Sequence, residues 1–253
     1  RNVFFLSLEI YLNPDRPMVQ VKLTVFLLLL FSVTAFSQKI DELFKPLVVT
    51  SAEITAMAVQ PDGKIIVGGD IVAVGSTHVD HLVRLHADGT LDDSFAPPDL
   101  PIKDGIIHSI VVEESGKVLV GGNLGNGEYA IRLHSDGSAD ETFSLSDEIE
   151  NIAKIERITD DRYLVLCFGQ PNLRLIKNDG SIDPSFDAGT GPHGFGIDGT
   201  DFLVMPDGKI LFAGSFEKFD HADHHGIVRL NPDGSIDNTF SAALGMQGDF
   251  RYI

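Results

Sequence analysis

The stretch "HADGTLDDSF" (residues 86–95) decides how this chain is read, because it returns as "HSDGSADETF" (134–143), "KNDGSIDPSF" (177–186) and "NPDGSIDNTF" (231–240). Taken alone, three aspartates around a glycine and a hydroxyl suggest a calcium loop. Four copies in register call for a structural explanation first. The recurring positions are Asp88, Gly89, Asp92 and Phe95; Asp136, Gly137, Asp140 and Phe143; Asp179, Gly180, Asp183 and Phe186; and Asp233, Gly234, Asp237 and Phe240. The phrase lacks the alternating order and distal Glu of a helical calcium loop, and the nonapeptide spacing of a calcium-binding β-roll. An Asp that accepts nearby backbone N–H groups, helped by a hydroxyl two residues on, holds a tight turn. These are therefore read as structural repeat positions. No cofactor is indicated, and calcium is the one worth testing.

Outward from that phrase, each copy reads as an apolar strand, a tight turn, a second strand ending in small residues, a variable loop, a third strand, and then the phrase itself. The second strand is "KIIVGG" (64–69), "KVLVGG" (117–122), "RYLVLC" (162–167) and "KILFAG" (209–214). "PDG" at 61–63 and 206–208 reads as a hairpin turn, since Pro presets one dihedral and Gly accepts a positive one. Paired glycines weaken a strand unless another backbone comes close, which fits packing between blades near a crowded axis. In "HLVRLHA" (81–87), alternation puts Val83 and Leu85 on one face and Leu82, Arg84 and His86 on the other. "KIDELFKP" (39–46) matches "TLDDSFAP" (90–97), so aromatic marks fall at Phe44, Phe95, Phe143, Phe186 and Phe240, with separations of 51, 48, 43 and 54 residues. A period of about 50 residues is that of propeller blades. Each Phe is placed to plug the gap between two of them.

The pattern "AVQPDGKIIVGGD…LVRLHADGTLDDSF" closely resembles the delta-60 repeat, a β-propeller family of unknown function, over nearly all of residues 39–253. The resemblance implies an exported bacterial propeller, often part of a longer protein with many copies and a C-terminal sorting or anchoring domain. The expected fold is all-β, a β-propeller of about four visible antiparallel blades in an incomplete ring. The copies run at about 40–90, 91–138, 139–181 and 182–235, with a further one starting at 236–253. Copy three departs from the pattern, with Leu166 and Cys167 at the glycine positions and Leu175 where Arg84, Arg132 and Arg229 align. The sequence stops at "GMQGDFRYI", where another first strand is due, so truncation is expected, with the remaining blades on a longer chain.

Composition agrees. The 253 residues are 43% hydrophobic, enough for a core, and 25 Gly and 12 Pro favour many turns over long helices. A net charge of −18 with no basic cluster argues against nucleic acid and anionic lipid as partners. Residues 18–37 read as a signal peptide: Lys22, the apolar run from Leu23 to Phe31, then Ala35-Phe36-Ser37 before a cut. Residues 1–17, which precede Met18, read as an upstream segment outside the native protein, leaving 38–253 as propeller repeats. Removing 1–37 leaves 16 bases and 35 acids, a net charge of −19. The mature protein is then secreted or at the cell surface, with no membrane insertion. The single cysteine, Cys167, lies in an apolar strand and reads as buried and inert.

Few residues suggest chemistry. His221, Asp223, His224 and His225 in "FDHADHHG" (219–226) carry metal-ligand side chains, but adjacent residues on a loop rarely preset a tetrahedral site. A solvated loop is the favoured reading. Arg84, Arg132 and Arg229 could line a ligand face, although an Arg repeated once per blade more often pairs within it. No "GxSxG" context flags a nucleophile. The function expected is a non-catalytic binding or scaffold module that presents variable loops to a protein or glycan. Two alternatives stand beside it: a lactonase-like or lyase-like propeller enzyme with a metal in its central channel, and a structural spacer or adhesin segment.

Overall fold

The "PDGK" turn closes as a hairpin: Gln60 N–H donates to Lys64 O and Gly63 N–H to Gln60 O, with Gly63 at a positive φ of 85°. The computed structural model describes residues 53–98, 106–168, 173–193 and 201–241; the proposed signal peptide, the segment before it, Phe44 and the last residues of the chain lie outside them. Within these limits every regular element is a β-strand.

Blade 1 comprises β1 (Ile54–Val59), β2 (Ile65–Gly69), a small hairpin of β3 (Ala73–Val74) and β4 (Thr77–His78), and β5 (Leu82–Leu85). Blade 2 is β6 (Ile106–Val112), β7 (Val118–Gly125) and β8 (Glu128–Leu133); blade 3 is β9 (Ile152–Thr159), β10 (Arg162–Cys167) and β11 (Leu173–Lys177). Blade 4 contains β12 (Pro192–His193), β13 (Asp201–Val204), β14 (Ile210–Ala213), β15 (Lys218–Phe219), β16 (Ala222–Asp223) and β17 (Ile227–Leu230). The four main sheets run β1-β2-β5, β6-β7-β8, β9-β10-β11 and β13-β14-β17, antiparallel throughout. A fourth strand is reduced to one bridge per blade, Leu85 to Leu91, Leu133 to Ala139, Ile176 to Ile182 and Leu230 to Ile236. The repeated phrase is that bridge and the crossing to the next blade.

Strands covered on both faces need apolar residues at every position, and this is why "RYLVLC" does not alternate. Leu164 and Leu166 pack toward blade 4 with Phe186, Phe202 and Phe212, while Tyr163, Val165 and Cys167 pack toward blade 2 with Phe143, Ile149 and Ile152. Phe95 takes the matching place between blades 1 and 2 with Ile66, Leu82 and Ile107. Three successive Phe side chains thus sit in three successive joints.

The two strand glycines have separate reasons. A Cβ on Gly68 would lie 2.9 Å from Ile107 Cγ2, and one on Gly121 2.5 Å from Ile155 Cδ1, so this glycine admits the first strand of the next blade. A Cβ on Gly69 or Gly122 would instead strike the carbonyl of Glu53 or Ile106 in the same blade. The cause is a bulge, since register shifts between Ile54 and Ala56, between Ile107 and Ser109, and opposite Leu166/Cys167 in blade 3. Only the first of the pair matches the expected approach between blades.

Candidate functional site

Antiparallel order sends the first and third turns of every blade to one end of the array and the second-to-third loops, with the links between blades, to the other. The turn end is nearly constant. Asp88 Oδ1 accepts both the N–H and the hydroxyl of Thr90, as Asp136, Asp179 and Asp233 do from Ser138, Ser181 and Ser235. Gly137, Gly180 and Gly234 have positive φ, and a Cβ on any of them would meet the preceding blade's backbone just beyond its Phe. There Ala96, Ser144 and Asp187 donate N–H bonds to the carbonyls of Asp136, Asp179 and Asp233. The Asp-Gly pair is therefore a turn and a clasp between blades.

The second aspartate is buried. Asp92 Oδ1 accepts the N–H and hydroxyl of Ser94, and its Oδ2 receives Arg84 Nε at 2.7 Å and Lys64 Nζ at 3.0 Å. Asp140 repeats this with Thr142, Arg132 and Lys117, and Asp237 with Thr239, Arg229 and Lys209. In blade 3 Leu175 has displaced the arginine, and Arg162 Nε reaches Asp183 Oδ2 at 3.3 Å from the lysine position. Burial works to raise Asp92 and Asp140, but the hydroxyl, amide, lysine and arginine donors override it and hold both carboxyls far below the usual range. Their oxygens are engaged by protein donors.

Each arginine does more than the expected ion pair. Arg84 Nη1 donates to Ser135 O of the next blade at 2.6 Å, Arg132 Nη1 reaches Asn178 O and Oδ1, and the guanidinium planes lie 4.8 Å and 5.2 Å from the Phe95 and Phe143 ring centres. Tyr163 adds a donor at the second joint, its hydroxyl 2.7 Å from Glu113 Oε1; burial, then that hydrogen bond, push the phenol well above its usual range. A cleft of about 550 Å³ beside this joint is lined by Arg132, Arg162, Lys177, Asp161 and Asp183 among others. On the first strands, Lys154 Nζ bonds Asp201 Oδ1 at 2.7 Å with Glu156 at 4.0 Å, and burial raises Glu156.

The loop end differs among blades 1, 2 and 4. Blade 1 carries the β3-β4 hairpin, blade 2 extends β7 and β8 around Asn126-Gly127, and blade 4 builds the separate β12-β15-β16 sheet. Among the described residues, the five non-glycine residues of positive φ, His81, Asn126, Asn151, Asp220 and His221, belong to this end. At the turn end glycine alone takes that conformation among the described residues. The Phe168 ring is 59% exposed and edges onto half-buried His108, which burial pushes below its ordinary value of 6.5 and so leaves uncharged at neutral pH. Exposed Ile106 lies on the same strand as His108.

The histidine loop is not gathered as a metal set. His221 stacks on His193 with ring centres 4.9 Å apart, while Thr190 Oγ1 lies 2.7 Å from His193 Nε2 and Thr190 N–H donates to Asp220 Oδ1. Asp223 faces Lys218 at 3.5 Å, and among the described residues no three His, Cys, Asp or Glu side chains converge. The loop's neighbours His193 and Thr190 were invisible in the sequence because a strand pairing, Pro192 to Phe219 and His193 to Lys218, brings them across.

The family model described as "Domain of unknown function (DUF5122) beta-propeller" matches residues 60–95, 114–143 and 206–240. These are the turn, strand and phrase segments of copies one, two and four. The fold is a β-propeller. The degraded third copy, which the family model passes over, nonetheless forms a complete three-stranded blade. Among solved structures, the chain is similar to a protein of unknown function from Bacteroides caccae at 12% identity, covering 74% of this chain and 81% of that one with a TM-score of 0.39. It is similar also to the WD40 β-propeller domain of Doa1, at 11% identity over 82% and 59% of the two chains and a TM-score of 0.45. A third is the extracellular domain of a putative one-component system from B. thetaiotaomicron, at 14% identity over 82% and 25%, with a TM-score of 0.33. No curated protein matches the chain.

Proposed function

We propose that this propeller is an exported, non-catalytic binding or scaffold module that engages a protein or glycan through its loop end. The observation that carries the reading is the contrast between the ends: one conserves its turn chemistry blade after blade, whereas the other varies and holds five side-chain-bearing residues at positive φ. Such backbone is strained for most residues, and loop variation on a rigid frame is the usual basis of recognition. Exposed Phe168 and Ile106 offer apolar surface, and Thr190, His193 and His221 offer polar groups.

Export follows from the reading of residues 18–37, and cell fractionation with N-terminal sequencing of the mature protein tests it. Binding is tested on glycan and protein arrays over a range of ionic strength. A hit should weaken at least tenfold with Phe168→Ala or His193→Ala and stay unchanged with Asp136→Ala at the turn end. Arrays without hits, or a hit indifferent to both loop-end variants, would sink the reading.

A further inference from the structure

At the turn end, three blades commit their cations to their own framework. Asp92 Oδ2 holds Lys64 Nζ at 3.0 Å and Arg84 Nε at 2.7 Å, Asp140 holds Lys117 and Arg132, and Asp237 holds Lys209 and Arg229. Blade 3 departs from this scheme in three ways. Its first hairpin is short: Thr159 pairs with Arg162 across Asp160 and Asp161, where five residues separate Val59 from Ile65, Val112 from Val118 and Val204 from Ile210. Leu175 replaces the arginine and joins the buried cluster of Phe186 and Phe212. Lys177 stands where blades 1 and 2 have His86 and His134.

Two cations are thereby released from framework duty. Arg162, with its side chain 44% exposed, reaches Asp183 Oδ2 at 3.3 Å through Nε, and its guanidinium makes no hydrogen bond among the described residues. Lys177 is exposed, and its ammonium has neither ion pair nor hydrogen bond among them. The amide and hydroxyl of Ser185 come first in holding Asp183 below its ordinary value, ahead of the charges of Arg162 and Lys177.

Both cations line the cleft of about 550 Å³, whose lining residues belong to blades 2 and 3 and are all described. Asp161 and Asp179 line it too. Asp161 Oδ1 accepts the Thr159 hydroxyl and Asp179 Oδ1 the amide and hydroxyl of Ser181, which leaves the Oδ2 of each without a hydrogen-bond donor among the described residues. Arg132, also in the lining, is fully engaged by Asp140, Thr142 and Asn178.

This set selects among anions. A guanidinium with an ammonium beside it suits a carboxylate, and free carboxylate oxygens suit hydroxyl donors. A phosphate dianion would meet repulsion from Asp161, Asp179 and Asp183, and an acidic peptide would bring several charges to a chain of net charge −18. A sugar with one carboxylate brings a single charge and several hydroxyls, and the cleft is of ordinary ligand-pocket size.

We propose that the turn end of blade 3 binds a carboxylate-bearing sugar, with its acid group on Arg162 and Lys177 and its hydroxyls on Asp161 and Asp179. This site is at the opposite end of the array from the loop surface proposed above and does not depend on it.

Titration calorimetry of the full chain tests it with tetragalacturonate, a glucuronate tetramer and sialyllactose, beside methyl-esterified tetragalacturonate, a glutamate-rich peptide and inorganic phosphate. At least one of the three acid sugars should bind, which identifies the kind of acid sugar, and binding should weaken as salt is raised. The ester, the peptide and phosphate should bind about tenfold more weakly or worse. Arg162→Gln and Lys177→Gln, both at exposed positions and expected to leave circular dichroism unchanged, should each weaken binding about tenfold. Arg162→Lys should not restore it, because it keeps the charge and loses the two-pronged fork. Phe168→Ala and His193→Ala should leave it unaltered. No heat from any acid sugar at millimolar concentration overturns the proposal, as does an ester, peptide or phosphate that binds as tightly, or indifference to both glutamine variants. Loss of sugar binding in Phe168→Ala or His193→Ala would place the sugar at the loop end, overturning this site while supporting that reading.

Discussion

At the scale of single residues, the phrase separates two aspartates that look alike in the sequence. Asp136 caps its own turn from the surface, whereas Asp140 is buried beneath Arg132 and Lys117. Asp140→Ala would leave a buried guanidinium short of its anion, so it should cost about 3 kcal/mol, read as a fall in the urea midpoint. Asp136→Ala should cost much less, because water replaces what it loses; equal losses would contradict the assignment. Cys167 gives a second check. Burial pushes its thiol up to about 11, so iodoacetamide should modify it slowly in the native protein and at the ordinary thiol rate in urea.

At the scale of strands and turns, glycines of different purpose should respond differently to a methyl group. Gly121→Ala presses on the movable ends of Ile155 and Ile152, at about 1–3 kcal/mol for overpacking. Shortening its neighbour in Gly121→Ala/Ile155→Val should return part of that loss in a double-mutant cycle. Gly137→Ala meets the Ala96 backbone at 2.7 Å and needs a φ of 94°, so it should be the more damaging single change, with no rescue from a side-chain substitution. Thermal melts of these variants, of Ile155→Val alone and of the wild type decide between these mechanisms. The strand repeat, the turns and the phase of the blades were legible in the sequence because they rest on local chemistry: Gly where φ is positive, Asp and Ser where N–H groups need acceptors. The bulge behind the second glycine was not, since it depends on a carbonyl of the neighbouring strand.

At the scale of the whole molecule, the buried aspartates make stability depend on acid. Asp92 and Asp140 bind protons less readily when folded than at their ordinary value of 3.8, so their contribution is complete above that value and is lost as pH falls from there toward their depressed values. Mild acidification from neutrality also relieves the repulsion of a net charge of −18. The melting temperature should therefore hold or rise slightly down to about pH 5 and drop steeply below pH 4. A steep loss already near pH 6 would point to histidine instead.

By itself the sequence determined that the chain is a repeat, where each blade begins, and which side chains hold its turns, because those features depend on residues within a few positions of one another. Only the tertiary structure decided what lies across a joint or a loop. It showed Arg84 reaching Ser135, Tyr163 reaching Glu113, and His221 stacked on His193. Those partners are 51, 50 and 28 residues apart in the chain. Composition and local pattern are blind to such distances, which only the packing of one blade on the next brings to contact.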